Sequence, residues 1–177
     1  MRRALDSLYS LSGAAAALCL AGIGVLMLAQ AVAREFGILI RGADDMTGWL
    51  CAASAFLALG HTFRHGELVR VALVLDRFSS RARRPAEMLV LCTALAFAGY
   101  LFWAVARFVY ESWKFGEVAQ GLMKTPIWIP QLSLVIGAAI LFVAVLDELI
   151  VLARGGRPAY RAAEESHRSQ PDLGGKT

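Results

Sequence analysis

Charged residues are scarce in this chain. Of its 177 residues, 18% are charged and 58% are hydrophobic, and the mean hydropathy is +0.56. Soluble domains run closer to about 25% charged and about 45–50% apolar residues. The charges are also clustered, which leaves long uncharged stretches between them. This composition excludes an ordinary soluble domain and indicates an integral membrane protein.

Catalytic and ligand-binding motifs are missing as well. The sequence has no nucleophile elbow, glycine-rich phosphate loop or nucleic-acid-binding motif. Its three cysteines (Cys19, Cys51 and Cys92) are far apart and fit no metal or disulfide spacing, so we expect them to pack between helices. The uncharged runs have no acidic residue at their centres, where ion-coupled transporters place them. The sequence therefore predicts no enzyme activity, no cofactor and no nucleic-acid partner.

Four apolar stretches could cross a membrane. Uncharged runs cover residues 7–33, 46–60, 88–106 and 125–146. About 20 apolar residues in a helix cross a bilayer core of about 30 Å, and the second run is near that limit. We predict an all-α integral membrane fold of four transmembrane helices, at about residues 9–33, 44–63, 87–112 and 125–152.

The basic residues are distributed unevenly along the chain. Most of the 18 Lys and Arg fall in the N-terminal tail, between the second and third runs, and in the C-terminal tail. Cytoplasmic segments retain positive charge, so we predict that both termini are cytoplasmic. Residues 1–154 would form the membrane domain. Residues 155–177 are polar, and we expect a disordered cytoplasmic tail there.

The basic segment between the second and third runs has a helical pattern. In a helical projection of residues 67–84, four arginines share one side and apolar residues lie opposite, with Val74 and Arg83 as exceptions. This pattern is typical of an amphipathic helix in the membrane interface, and we expect Pro85 to end it before the third crossing. The four arginines are Arg70, Arg77, Arg81 and Arg84.

A pair of histidines just before this segment could suggest a metal site. His61 and His65 are four residues apart, a spacing that zinc sites use on one helix face. Glu67 cannot share that face, and a third ligand is missing from the neighbourhood. We favour a structural interpretation, in which the second crossing ends here and Gly66 joins it to the interfacial helix. A metal-dependent membrane enzyme using His61, His65 and Glu67 is the alternative.

Small residues recur at helical spacing in two of the runs. Gly13, Ala17 and Ala21 repeat every four residues, as do Ala94 and Ala98. Such stripes allow the backbones of membrane helices to approach closely. They predict a protein that packs against other helices.

Three short segments carry a family resemblance. The first is Arg34 followed by the acidic pair Asp44 and Asp45; the second is RHGELVRV at residues 64–71; the third is TPIWIP at residues 125–130. In this order, on a four-helix layout, they resemble the small membrane subunit of tripartite ATP-independent periplasmic (TRAP) transporters, the DctQ-like family.

The resemblance implies a role and partners. The chain would be a scaffold in the bacterial inner membrane that braces a large, elevator-type DctM-like subunit. It would also help to dock a periplasmic, DctP-like solute-binding protein. The complex would take up an organic acid anion, such as a C4-dicarboxylate, driven by a sodium gradient that the large subunit couples. An unrelated tetraspan adaptor is the alternative.

The resemblance and the charge pattern also suggest contact residues. For the large subunit or the phospholipid membrane we expect Arg70, Arg77, Arg81, Arg84 and Trp128. For the solute-binding protein we expect Arg34, Arg41, Asp44, Asp45, Lys114, Glu117 and Lys124.

Overall fold

The structure, a computed structural model, describes residues 2–64, 80–119 and 124–154. Within these ranges the fold is all-α, as the sequence predicts, with one isolated β-bridge and no strands. Its four helices are α1 (Arg2–Glu35), α2 (Ala43–Arg64), α3 (Ser80–Lys114) and α4 (Trp128–Ala153).

Three of these helices are long and apolar enough to cross a membrane. They are α1, α3 and α4, with mean hydropathies of 2.2, 2.1 and 2.6 over their most apolar windows. The 22-residue α2 is not among them, and it carries two aspartates in its first turn. Four crossings with cytoplasmic termini therefore stay a prediction.

The described helices pack as an open row. Extensive contacts join α1 to α2, α2 to α4, and α4 to α3. The order across the row is therefore α1–α2–α4–α3, with α2 and α4 inside it and α1 and α3 at its edges, and at Tyr9 α1 also reaches α4. Accordingly, 33% of the most apolar window of α4 is buried, against 11% for α1 and 17% for α3.

The contacts also fix the directions of the helices. Gln30 and Asp44 meet near one end of the α1–α2 pair, and Gly13 and His61 meet near the other, so the two helices are antiparallel. Residues 56 and 60 of α2 lie against residues 137 and 140 of α4, so these two helices are parallel. We call the end that holds the start of α1 and the ends of α2 and α4 the terminal end. The opposite end, with the connections 36–42 and 115–127, is the distal end.

The closest contacts between helices occur at glycines, which have no side chain to separate the backbones. A Cβ built on Gly137 would overlap the carbonyl oxygen of Phe56 and lie 2.5 Å from its carbonyl carbon. A Cβ on Gly60 would lie 2.5 Å from Cγ2 of Ile140. Nearby, Tyr9 of α1 is fully buried in one cluster with Ile140 and Ala144. We call the place where α1, α2 and α4 meet (Tyr9, Gly60, Gly137 and Ile140) the three-helix seam.

The start of α3 differs from the prediction. Pro85 lies inside one continuous helix that begins at Ser80, so the break expected at this proline is wrong. As the sixth residue of this helix, Pro85 removes a single hydrogen bond, the one that its N–H would donate to the carbonyl of Arg81, and its fixed φ of about −65° is compatible with a helix. Residues 80–84 thus belong to the same helix as the third apolar run. Residues 67–79 of the predicted interfacial helix lie outside the described residues.

Two predictions of packing are also corrected. Cys51 and Cys92 are exposed in the chain, and Cys19 is half-buried, so the cysteines do not pack between its helices as a group. In the small-residue stripe of α1, Gly13 contacts α2, but Ala17 and Ala21 are exposed. The buried alanine of α1 is Ala16, which the stripe did not include.

Candidate functional site

His61 has a structural position between α1 and α2. Its Nδ1 lies 3.1 Å from the carbonyl oxygen of Tyr9, and a Cβ on Gly13 would lie 2.8 Å from the imidazole ring. Within the described ranges, no group of three or more His, Cys, Asp or Glu residues could hold a metal ion. His65 and Glu67, the other members of the alternative metal site, lie outside the described residues.

The terminal end buries polar side chains in the same region. Ser12 is 4% exposed and donates a hydrogen bond to the carbonyl oxygen of Leu57, which ties α1 to α2 a second time. Glu148 of α4 and Glu87 of α3 are also buried, at 3% and 2% exposure. The sequence pattern did not indicate this burial. The position of an acidic residue near a helix end does not show whether its side chain is buried or exposed.

The first distal connection is a short ordered loop. Its Gly37 has φ of +70°, and the N–H groups of Gly37 and Ile38 donate to the carbonyls of Arg34 and Ala33, at 3.0 and 2.9 Å. This is the Schellman motif, in which a left-handed glycine closes the end of a helix. Gly42, with φ of +78°, then precedes α2, and its carbonyl accepts from the N–H of Met46. The loop therefore has a fixed shape.

The charged residues of this loop divide into two groups. Asp44 Oδ1 accepts a hydrogen bond of 3.2 Å from the Gln30 amide, which holds the ends of α1 and α2 together. Arg34 and Arg41 are exposed and form no ion pair with another described side chain. Of the expected docking residues here, Asp44 is engaged within the chain, Asp45 is half-buried in the first turn of α2, and the two arginines are available to a partner.

The second distal connection forms a small hairpin. The N–H of Ala119 donates to the carbonyl of Thr125 at 2.9 Å, and the N–H of Ile127 donates to the carbonyl of Glu117 at 3.0 Å. Ser112, which is 1% exposed, donates to Oε2 of Glu117 at 2.8 Å. The Glu117 carboxylate is thus engaged in holding the hairpin on the end of α3. Residues 120–123 lie outside the described residues.

Two lysines flank this hairpin. Lys114 and Lys124 are both exposed, and Lys114 Nζ lies 5.9 Å from the centre of the Phe115 ring. The structure brings both to the distal end, on the two arms of one connection. They are separate from Arg34 and Arg41, which lie on the connection between α1 and α2.

Exposed aromatic and charged side chains alternate along the distal part of α3. The Arg107 guanidinium lies 5.5 Å from the centre of the Trp103 ring, and its Nε lies 2.9 Å from Glu111 Oε1. These residues line an open groove together with Tyr110, Lys114 and Phe115. The spacing of four residues between Arg107 and Glu111 satisfies both charges near the end of the apolar run.

Tryptophans mark a common level on three helices. Trp113 ends α3 and Trp128 begins α4, and the two are joined by the hairpin. Since Gly137 lies opposite Phe56, Trp128 lies near the level of Trp49 on α2. From Trp128 to Asp147 the helix rises about 29 Å, close to the thickness of a bilayer core of about 30 Å. Tryptophans prefer the membrane–water interface, so this level is the expected distal edge of the membrane.

The residues expected to contact the large subunit are only partly described. Arg70 and Arg77 lie outside the described residues. Arg81 and Arg84 are in the first turns of α3, and their side chains are not described. Trp128 is half-buried at the start of α4.

The fold and these surfaces define a class of protein: a multi-helix membrane protein without a recognisable catalytic centre in its described residues. The profile of one family, described as "Tripartite ATP-independent periplasmic transporters, DctQ component", matches residues 23–155. This match covers most of the chain, and the chain belongs to that family. It is therefore a small membrane component of a TRAP transporter. No curated protein and no solved structure matches it.

Proposed function

We propose that the chain is the small scaffold subunit of a TRAP transporter in the bacterial inner membrane, and that all four helices cross the bilayer. The pairing of α2 with α1 supports the fourth crossing. Contacts run from Asp44 with Gln30 at the distal end to His61 with Gly13 near the terminal end. A helix that lies along α1 over this length, about 25 Å, spans nearly the same thickness of membrane.

The charge distribution supports the orientation. Thirteen of the 18 Lys and Arg residues belong to the start of α1, to residues 64–84 or to residues 154–177, all of which adjoin the terminal end. Positive charge is retained in the cytoplasm, so the terminal end is cytoplasmic and the distal end faces the periplasm.

The open row is the observation that carries the scaffold role. A row of helices presents faces rather than an enclosed path for a solute. Its two edge helices expose large apolar side chains over the length of the membrane, including Leu18 (73%) and Leu28 (69%) on α1 and Leu89 (69%) and Phe97 (67%) on α3. Such faces are suited to packing against another membrane protein. We infer that they brace the large elevator-type subunit.

The remaining parts of the proposal rest on the family resemblance. The large subunit would carry an organic acid anion, C4-dicarboxylate-like or another carboxylate, and would couple its movement to sodium. The described crossings place no Asp or Glu near mid-membrane, which is consistent with leaving ion coupling to that partner. The distal charges would help to dock the periplasmic solute-binding protein. Complementary charges at such a rim steer encounter and orientation more than they add affinity.

His61 does not favour the alternative of a metal-dependent enzyme. Its Nδ1 contacts the Tyr9 carbonyl, and its ring covers Gly13, so the imidazole has a packing role between two helices. The family itself is a transporter component rather than an enzyme family.

Photo-crosslinking tests the scaffold role. The photoreactive residue p-benzoyl-phenylalanine would replace Leu18 on α1 or Phe97 on α3, in cells that co-produce the large subunit. Both positions are exposed at membrane depth, so we expect at least one of them to give an adduct with the large subunit. Replacement of Val118, an exposed residue of the distal hairpin, is the control outside the bilayer.

The scaffold role would be contradicted if neither edge helix gave an adduct while the two chains were present together. It would also be contradicted if the chain purified alone from such cells, without the large subunit.

A further inference from the structure

The distal half of α3 carries polar and charged side chains on one exposed face. Tyr100 (66% exposed) and Trp103 (55%) are followed on this face by Arg107 and Glu111, whose side chains are 61% and 48% exposed. We call these four residues the polar stripe. The chain itself leaves all four uncovered, so the question is what covers them in the membrane.

Two distances place Arg107 inside the hydrocarbon core. Trp113 and Trp128 define a tryptophan level, and Arg107 precedes Trp113 by about 9 Å of helix. Across the row, Phe142 packs on Gly99. From this contact Arg107 is about 12 Å, and Trp128 about 21 Å, towards the distal end. Both routes put Arg107 about 9 Å below the tryptophan level, where half the thickness of the core is about 15 Å.

The guanidinium of Arg107 stays at this depth. It lies 5.5 Å from the centre of the ring of Trp103, one turn deeper in the membrane, and its Nε lies 2.9 Å from Oε1 of Glu111, one turn above. An arginine that avoids lipid extends its side chain to the headgroups, and these two contacts hold Arg107 back from them. Among the described residues its hydrogen-bond acceptor is Glu111, at Nε, so its terminal N–H groups are available to a partner.

Lipid is a poor environment for the polar stripe. Tyr100 lies about 20 Å below the tryptophan level, near the midplane, although tyrosine prefers the membrane surface. Charged side chains within a bilayer are costly, and they almost always face protein or a water-filled cavity. The α1 edge shows the contrast, because it has no charge over residues 7–33 and its most exposed side chains at membrane depth, such as Leu18 and Leu28, are aliphatic. Lipid therefore suits α1 and does not suit the polar stripe.

We propose that the polar stripe is the contact surface for the large membrane subunit, and that a carbonyl or carboxylate oxygen of that subunit accepts hydrogen bonds from the Arg107 guanidinium. The solute-binding protein is water-soluble and does not reach this depth, whereas the large subunit spans it. Trp, Tyr and Arg are also the residue types that dominate the energy of protein interfaces. This inference rests on the proposed function and deepens it, because it assigns the brace to the α3 edge and leaves the α1 edge to lipid.

Association of the two membrane subunits tests the proposal. The fluorescently labelled small subunit would be titrated with the purified large subunit of the same system in a mild detergent. The variant is Arg107→Leu with Glu111→Leu, which removes both charges and leaves the net charge of the chain unchanged. The matched control is Leu18→Ala with Leu28→Ala, which shortens two exposed side chains on the α1 edge. Thermal unfolding of each isolated small subunit is measured in the same detergent.

We expect the charge-free variant to raise the dissociation constant at least about tenfold, the effect of losing an arginine at the centre of an interface. The control should stay within about twofold of wild type. The isolated variant should unfold at the wild-type temperature, because an exposed ion pair adds little stability. An unchanged dissociation constant, or a lower unfolding temperature that accounts for the loss, would overturn the proposal while leaving the scaffold role intact. If the wild-type subunits do not associate, the proposed function fails as well.

Photo-crosslinking from within the stripe identifies what covers it. With p-benzoyl-phenylalanine in place of Trp103, we expect an adduct with the mass of the small and large subunits together, and with the same residue in place of Leu18 we expect none. An adduct of two small subunits at position 103 would mean that a second copy covers the stripe, and would overturn the proposal. The absence of any protein adduct there would mean that lipid covers it, with the same consequence. An adduct with the large subunit from position 18 alone would move the brace to α1 and keep the scaffold role.

Discussion

The three-helix seam and the distal connections use the same kinds of residue for opposite purposes. At the seam, glycines at positions 60 and 137 remove side chains so that backbones touch, and Tyr9 is fully buried. At the distal end, Gly37 and Gly42 allow left-handed turns, and the aliphatic residues between them face outwards. The comparison shows that one end of the row is built to keep its shape, and the other is built to present a surface.

The seam should be the more sensitive of the two regions, and Gly137→Leu should break it most severely. The new side chain would meet the backbone of Phe56, which cannot move without separating α2 from α4. We expect a loss of about 3 kcal/mol or more in the free energy of unfolding, since overpacking a close contact forces the backbone apart. Thermal unfolding of the purified protein in detergent measures it.

Gly24→Leu is the matched control for this substitution. A Cβ at Gly24 meets nothing within 4 Å, so the same change should leave the unfolding temperature almost unaltered. Equal unfolding temperatures for the two variants would show that α2 and α4 are not in the contact described.

A smaller effect is expected from Tyr9→Ala, which empties the part of the seam that α1 contributes. We expect a loss of about 2 kcal/mol, because in a membrane mainly the packing part of a large-to-small substitution applies. Leu11→Ala is the control, since Leu11 is 69% exposed on the same helix. If both variants unfold at the same temperature, Tyr9 does not pack against Ile140 and Ala144.

The smallest loss of stability is expected at the distal hairpin, the region compared with the seam. Ser112→Ala removes the hydrogen bond to Glu117 and should cost about 1 kcal/mol. Glu117→Gln should lower the free energy of unfolding by no more than this. The double variant should lower it by less than the sum of the two single losses. A double-mutant cycle on unfolding free energies measures the coupling. Additive losses would show that the two side chains do not interact, and would return Glu117 to the group of free docking charges.

Some parts of the candidate site could be anticipated from the sequence. The docking hypothesis identified the two distal connections and their charges, because charges between apolar runs must lie at the ends of helices. It did not distinguish Arg34 and Arg41, which are free of described ion pairs, from Asp44 and Glu117, which are bonded within the chain. Which polar groups form hydrogen bonds with each other depends on how helices that are distant in sequence are aligned.

The exposed apolar residues between Glu35 and Arg41 were missed, although a signal was present. The segment FGILIRG, between Arg34 and the acidic pair, is too short to cross a membrane and too apolar for an ordinary loop. Its glycines at both ends indicate turns. Only the tertiary structure shows that these residues are exposed at the distal end.

The sequence by itself determined that this is a helical membrane protein, roughly where its apolar helices lie, although not where α1 and α3 begin, and to which family it belongs. In lipid, every backbone polar group needs an internal partner, so a long apolar run must form a helix. The tertiary structure alone decided the order α1–α2–α4–α3, the burial of Ala16 rather than Ala17, and the outward direction of the loop. Membrane helices are apolar on all sides, so hydrophobicity does not mark the face that packs. The face of a membrane helix that packs is set by complementary shape, for example at Gly60 and Gly137, where two backbones can meet.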